Sequence, residues 1–397
     1  MKFQEKQSNK RHNLLNSTFK PVFFLLVLTM IFLVCKRKPE SAKIIEDYII
    51  ELTPVQELGK KLFYDRNLSS PPGQACVDCH SPEAGFANPN SFLPVSHGVH
   101  KDRFGNRNDL VAAYAAFSPE FHFDTIENVY VGGLFWDGRA ADLVQQAKKS
   151  FLSPLKMANP DKQTLIDKIR NSNYSDLFKE IFGIDALENT ENAFNMVAEA
   201  IAEYEISEEL NQFSSKYDLF LQGQVELTEQ ELRGFVLFQA EDKGNCAACH
   251  PNQPGPDGTP PLFTDYTYAN LGVPKNTENP FYYLPEEFNP DGINYVDPGL
   301  GGIVNKQEEI GKFKVPTLRN VAITGPYMHN GIFKTMRQVV SFYNTRDIRP
   351  WPLPEIPDNV NHNKLGNLGL TEQEIDDIVA FLFTLTDGYI PDNNKVK

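Results

Sequence analysis

The chain has 397 residues, 41% hydrophobic and 23% charged. That balance excludes a disordered, collagen-like or multi-span membrane protein and predicts two or three domains at ~100–200 residues each. The formal net charge of −14 argues against a nucleic-acid partner.

The charge is uneven. Residues 1–38 carry eight Lys or Arg and a single acid, Glu5, a local +7 that leaves −21 for the rest. An acidic body of this kind steers basic partners or simply keeps its surface solvated. Behind the basic stretch, Val22 to Val34 (VFFLLVLTMIFLV) is continuously apolar. At 13 residues it is short for a membrane span of about 20 and suits the apolar region of an export signal. Residues 1–43 are therefore expected to be a signal or anchor segment, and the mature protein to be periplasmic. Cys35 and the basic residues after it leave a cleaved, lipidated or membrane-anchored N-terminus open.

The first expected helix opens at Thr53-Pro54-Val55-Gln56: an N-cap Thr, Pro at the first helical position and Gln at the third. It leads to CVDCH, Cys76 to His80. Helical patterns follow at Pro160 to Phe182 and Thr190 to Leu210, with Leu165, Ile169 and Leu177 suited to a buried face. A boundary is expected between Ser207 and Val225. Thr228-Glu229-Gln230-Glu231 is a capping box that opens a second start, leading to CAACH, Cys246 to His250. Pro251 to Pro261 and Asn276 to Pro298 read as loops. Thr371 caps a closing helix with Ile375, Ile378, Val379 and Leu382 on its apolar face.

Four cysteines in an exported chain would by default form two disulfides. Here each CxxC pair is followed at once by His, the c-type haem attachment pattern, in which the thiols bond the haem vinyl groups and the His ligates iron. A redox CxxC pair or a zinc site needs no His directly after both pairs. The two starts are also internally repeated. Leu52, Thr53, Gly59, Leu62 and Phe63 recur 175 residues later as Leu227, Thr228, Gly234, Leu237 and Phe238. The expected fold is mostly α, two tandem cytochrome c-like haem domains (44–215 and 216–390) with long loops.

Residues Arg107, Asn108, FWDGRAADL (Phe135 to Leu143) and Gln146, with VPTLRNVAITGPYMHNG (Val315 to Gly331), resemble the bacterial diheme cytochrome c peroxidase and MauG family over roughly residues 44–390. The long insertions and GNLGLT (Gly366 to Thr371) resemble its MauG-like branch. The resemblance implies that the N-terminal haem, held by Cys76, Cys79 and His80, meets peroxide. The C-terminal haem, held by Cys246, Cys249 and His250, would receive electrons from a small redox protein, a cytochrome c or a cupredoxin. Trp136 matches the tryptophan between the haems, and Gln146 the distal glutamine. Asn108, Thr324 and Pro326 match an inter-domain calcium site made of neutral oxygens. His100, or His97, would be a displaceable ligand of the first haem.

Two positions depart from the peroxidases. Lys156, ten residues after Gln146 and next to Met157, stands where they carry a glutamate acid/base. Tyr343, fourteen residues after His329, stands where they carry a Met ligand of the second haem and where MauG has Tyr; a phenolate lowers the iron potential. Met328 and Met336 are the fallback ligands. The expected activity is reduction of hydrogen peroxide to water. The alternatives are MauG-like oxidation of a protein substrate and a non-catalytic electron-transfer or sensor role. A homodimer is left open.

Overall fold

The computed structural model describes residues 50–391; the expected leader, residues 1–43, lies outside them. Among the described residues no helix is long and apolar enough to cross a membrane.

Helix α1 (Pro54–Tyr64) begins at the predicted cap. Thr53 Oγ1 accepts from the Gln56 N–H, and Gln56 Oε1 accepts from the Thr53 N–H. Next come α2 (Leu143–Leu152), α3 (Lys162–Arg170), α4 (Ser175–Phe182) and α5 (Thr190–Ile206). The expected single helix from Pro160 to Phe182 is two helices. Asp161 caps the first, and the Asn171 and Ser172 side chains bond back to the Asp167 and Ile169 carbonyls, which ends it. The second helical pattern stops at Ile206 rather than Leu210. Ser207 is extended, and the Asn211 amide donates to the Glu205 and Ser207 carbonyls.

Helices α6 (Lys216–Leu221), α7 (Glu229–Gln239), α8 (Gly301–Val304), α9 (Met336–Thr345) and α10 (Glu372–Phe383) follow and complete the α-helices of the described residues. Among the described residues strand is confined to two small antiparallel pairs. One joins β1 (His122–Asp124) to β2 (Val129–Val131), the other β3 (Tyr268–Ala269) to β4 (Phe313–Lys314).

The sequence repeat has a packing cause. Helix α1 crosses α5, and α7 crosses α10. At the crossings a Cβ on Gly59 would meet the Ala200 carbonyl oxygen at 1.9 Å, and one on Gly234 the Asp377 carbonyl oxygen at 1.9 Å. Only glycine lets the backbones approach this closely. Each crossing anchors its own apolar core. The first contains Leu58, Phe63, Ile166, Phe178 and Tyr204; the second contains Tyr217, Phe238, Phe263, Ile378 and Phe381. The second is braced by a buried ion pair, Arg319 with Asp218 at 2.9 Å.

Polar contacts tie distant stretches around the cores. Arg107 forks onto Asp297 at 2.6 and 2.7 Å and also reaches Asp137 at 2.5 Å. The Tyr114 hydroxyl donates to Asp387, and the Asn108 N–H donates to the His329 carbonyl at 2.7 Å. Lys314 donates to the Gly132 and Gly133 carbonyls at 2.8 Å.

Candidate active site

Each CxxCH opens as a short 3-10 turn, Cys76–Asp78 and Cys246–Ala248, in which the His N–H returns to the first Cys carbonyl at 2.9 Å. The turn presents both sulfurs and the imidazole to one cavity. None of the four cysteines is in a disulfide. Burial pushes the Cys76, Cys79 and Cys246 thiols up to about 12, so they are neutral. His80 Nδ1 faces the Phe86 carbonyl at 3.2 Å, and His250 Nδ1 the Phe263 carbonyl at 2.8 Å. A proton on Nδ1 satisfies that carbonyl and leaves the Nε2 lone pair for a metal. Burial lowers the pKa of both imidazoles, which keeps that lone pair free.

One cavity lies around Cys76, Cys79 and His80, and another around Cys246, Cys249 and His250. Buried polar atoms without a protein partner belong to residues lining them: Gln74 Oε1 in the first, His329 Nε2 and Glu355 Oε1 in the second. Paired thiols, a metal-ready imidazole, apolar walls and unsatisfied polar atoms fit a covalently held haem in each.

Trp136 lines both cavities. Its indole N–H donates to the Asn108 carbonyl at 2.8 Å, and its own carbonyl accepts from the Lys314 N–H at 2.9 Å. Its ring stands edge-on to His329, with centroids 6.5 Å apart, and His329 stacks on Phe313 at 3.6 Å. Burial pushes His329 down to about 4, so this stack is neutral.

In the first cavity, Gln146 of α2 and Lys156 are both lining residues. Lys156 Nζ sits 5.2 Å from the Phe135 ring centroid, and its charge acts on Cys76, Cys79 and His80. Met157 is buried beside it. His97 lines the cavity, whereas His100 is not among its lining residues. The His97 ring is engaged on both sides: Nδ1 with the Gly98 carbonyl at 2.7 Å, Nε2 with Lys101 Nζ at 3.2 Å.

In the second cavity Tyr343, Met328 and Met336 all line the wall. Burial, with the Cys249 and Cys246 sulfurs nearby, raises the Tyr343 hydroxyl pKa. At the matched calcium position, the Asn108 side-chain amide lies 2.8 Å from the Pro326 carbonyl oxygen. Thr324 Oγ1 bonds back to the Val321 carbonyl at 3.5 Å. Among the described residues no cluster of three or more His, Cys, Asp or Glu could hold a metal ion.

Three ionisable groups, buried or half-buried, carry no motif. Glu205 of α5 lines the first cavity, and burial alone pushes it up to about 8. It is one of several acids on its helix, and only the fold singles it out. Glu355 lines the second cavity. Lys314, in β4, bonds only neutral oxygens, and burial pushes it down to about 7.

Comparison with known proteins gives the same picture. A family model described as di-haem cytochrome c peroxidase matches residues 54–226. The methylamine utilization protein MauG of Paracoccus denitrificans is 38% identical over 350 residues, covering 83% of this chain and 88% of MauG. The cytochrome-c peroxidase IdrP1 of Denitromonas iodatirespirans is 29% identical, covering 85% and 84%. Among solved structures, the diheme peroxidase BthA of Burkholderia thailandensis superposes with a TM-score of 0.75 at 33% identity, covering 86% and 88%. The chain belongs to the di-haem cytochrome c peroxidase family, peroxidase-like oxidoreductases that include MauG.

Proposed function

We propose that this protein is a periplasmic enzyme that reduces hydrogen peroxide to water. A small redox protein, a cytochrome c or a cupredoxin, delivers electrons at the C-terminal cavity (domain 216–390), and they pass to the N-terminal cavity (domain 44–215). The overall change consumes one peroxide, two electrons and two protons and yields two waters. The observation that carries the reading is Trp136, one side chain lining both cavities.

Haem held by Cys76, Cys79 and His80 would supply the iron that meets peroxide, and haem held by Cys246, Cys249 and His250 the electron store. The chain's own residues do the rest. Gln146 offers an amide to orient a bound peroxide. Lys156 brings a cationic head where acid/base work calls for a proton acceptor. His97 can reach a metal through Nε2 only once Lys101 lets go of it. The oxygen set at Asn108, Thr324 and Pro326 suits one calcium ion: with the Asn108 amide turned over, its oxygen and that of Pro326 form a close pair for a hard cation.

Tyr343 and Lys156 together favour a second reading, in which peroxide drives oxidation of a protein substrate, the MauG-like chemistry. Tyr343 would be one of the residues holding the second haem, and a hard phenolate oxygen would favour its oxidised states where a thioether would favour reduction. Stopped-flow mixing of haem-loaded protein with hydrogen peroxide separates the readings. Fast Soret changes only after half-reduction support the peroxidase, and changes in the fully oxidised protein support the second reading. No change in either state refutes both and leaves an electron-transfer or sensor protein.

A further inference from the structure

Glu355 lies in the irregular stretch after α9, its backbone N–H bonded to the Val273 carbonyl at 3.1 Å. Its carboxyl lines the cavity that also contains Cys246, His250, Tyr343 and Trp136, and Oε1 is buried without a protein partner.

The groups facing it are Asp297, Lys275, Tyr282 and Tyr295, with Arg107 behind Asp297. Asp297 is the ionised carboxylate of this set. Burial works against its charge, but the Arg107 fork outweighs burial and holds its pKa low. Lys275 donates two of its three hydrogens to the Ile293 and Tyr295 carbonyls, and no bond from it to Glu355 forms. Glu355 is thus left with a like charge for a neighbour and no cation bonded to it. Burial first, and the Asp297 charge second, push it up to about 7, against the Asp297 N–H, Lys275 and the Tyr282 hydroxyl.

We infer that Glu355 is a redox-linked proton site: its carboxyl takes up a proton when the C-terminal haem gains an electron and releases it when that electron moves on. This rests on the proposed haem in that cavity. The electron comes from the redox protein and the proton from solvent. No bond other than the carboxyl O–H forms or breaks. The physical link is Coulombic. An added negative charge in a low-dielectric cavity favours the neutral acid, and an ionised carboxylate there favours the oxidised cofactor. The consequence is chemical economy, because peroxide reduction consumes protons and electrons in equal number.

The test is a spectroelectrochemical titration of the holoenzyme, wild type against Glu355→Gln, from about pH 5 to about pH 9. In the wild type the C-terminal haem potential falls as pH rises through neutrality. Glutamine imitates the protonated acid, so E355Q keeps the acid-limb potential and stands above wild type only on the alkaline side. Glu355→Asp, which retains a carboxyl, keeps a falling segment. The haem's own carboxylates titrate in all three proteins and cancel in the comparison. A wild-type pH dependence retained in E355Q overturns the inference. Should E355Q load haem poorly, reduction-minus-oxidation infrared spectra of the wild type decide: a carboxylic C=O band that grows on reduction supports the site, and its absence overturns it. Mass spectrometry keeps the two levels apart. A wild-type chain lacking the second covalent haem refutes the functional reading. Two haems with parallel titrations refute the role of Glu355 alone.

Discussion

Replacing Gly59 with Ala should destabilise the protein through one contact. The new Cβ would sit 1.9 Å from the Ala200 carbonyl oxygen, where ordinary contact begins at 3.4 Å. Helices α1 and α5 would have to separate, and the obstruction is backbone, which cannot swing aside as a side chain can. Overpacking costs ~1–3 kcal/mol, and a backbone clash belongs at the upper end. Alanine returns ~1 kcal/mol of helix propensity. The net expectation is a loss of about 2 kcal/mol, from ~3 against ~1. Gly234→Ala, with the same 1.9 Å approach to the Asp377 carbonyl, should lose a similar amount. The two crossings sit in separate cores, so the double variant should lose nearly the sum. Urea unfolding of the haem-loaded protein, followed by circular dichroism and Soret absorbance, gives the midpoints. A midpoint for G59A at or above wild type would mean that propensity outweighs the clash and that the glycine does not set the helix spacing.

Three further outcomes are expected. Lys156→Glu supplies a proton acceptor in the first cavity and should raise peroxide consumption by ~100-fold, the low end of general acid–base effects; an unchanged steady-state rate would remove Lys156 from the chemistry. Trp136→Phe keeps an aromatic ring but loses the indole N–H bond to Asn108; inter-haem electron transfer, followed by flash photolysis, should slow by about tenfold, equivalent to ~1.4 kcal/mol of barrier, with both haems retained. Lys314 supplies a pH signature. The unfolded chain holds its proton up to the ordinary 10.5, while burial releases it from the fold above about 7. Between those values the unfolded state binds more protons, so stability rises with pH by up to ~1.4 kcal/mol per unit, and the effect flattens below about 7. Lys314→Met should remove that slope in urea midpoints measured across the window; an unaltered slope would show that Lys314 stays charged in the fold.

Much of the site was legible because covalent chemistry dictates spacing. Two thiols and a histidine must sit close in sequence to hold one haem, so CVDCH and CAACH announce themselves. The repeat was legible for a related reason, since helix caps and crossing glycines are local marks of a repeated packing problem. Gln146, Lys156 and Tyr343 were reachable by counting from those motifs, and each lines a cavity. What stayed hidden depends on contacts between distant stretches. Arg107 finds Asp297 in a loop that read only as Pro- and Asn-rich, and Glu205 and Glu355 differ from surface acids only by where the chain buries them. The break at Asn171 and Ser172 was missed because side-chain bonds to the backbone ended a helix whose apolar periodicity continued.

The indole N–H of Trp136 points at a carbonyl oxygen rather than at a base. An indole that loses an electron becomes strongly acidic and sheds its ring proton wherever a base can take it. The Asn108 carbonyl accepts a hydrogen bond but does not accept a proton, so the ring would remain a protonated radical cation. Recovery then needs only the return of one electron, with no proton to find its way back. In the relay role proposed for it, Trp136 would then be reusable without chemical wear, beside a site that handles an oxidant.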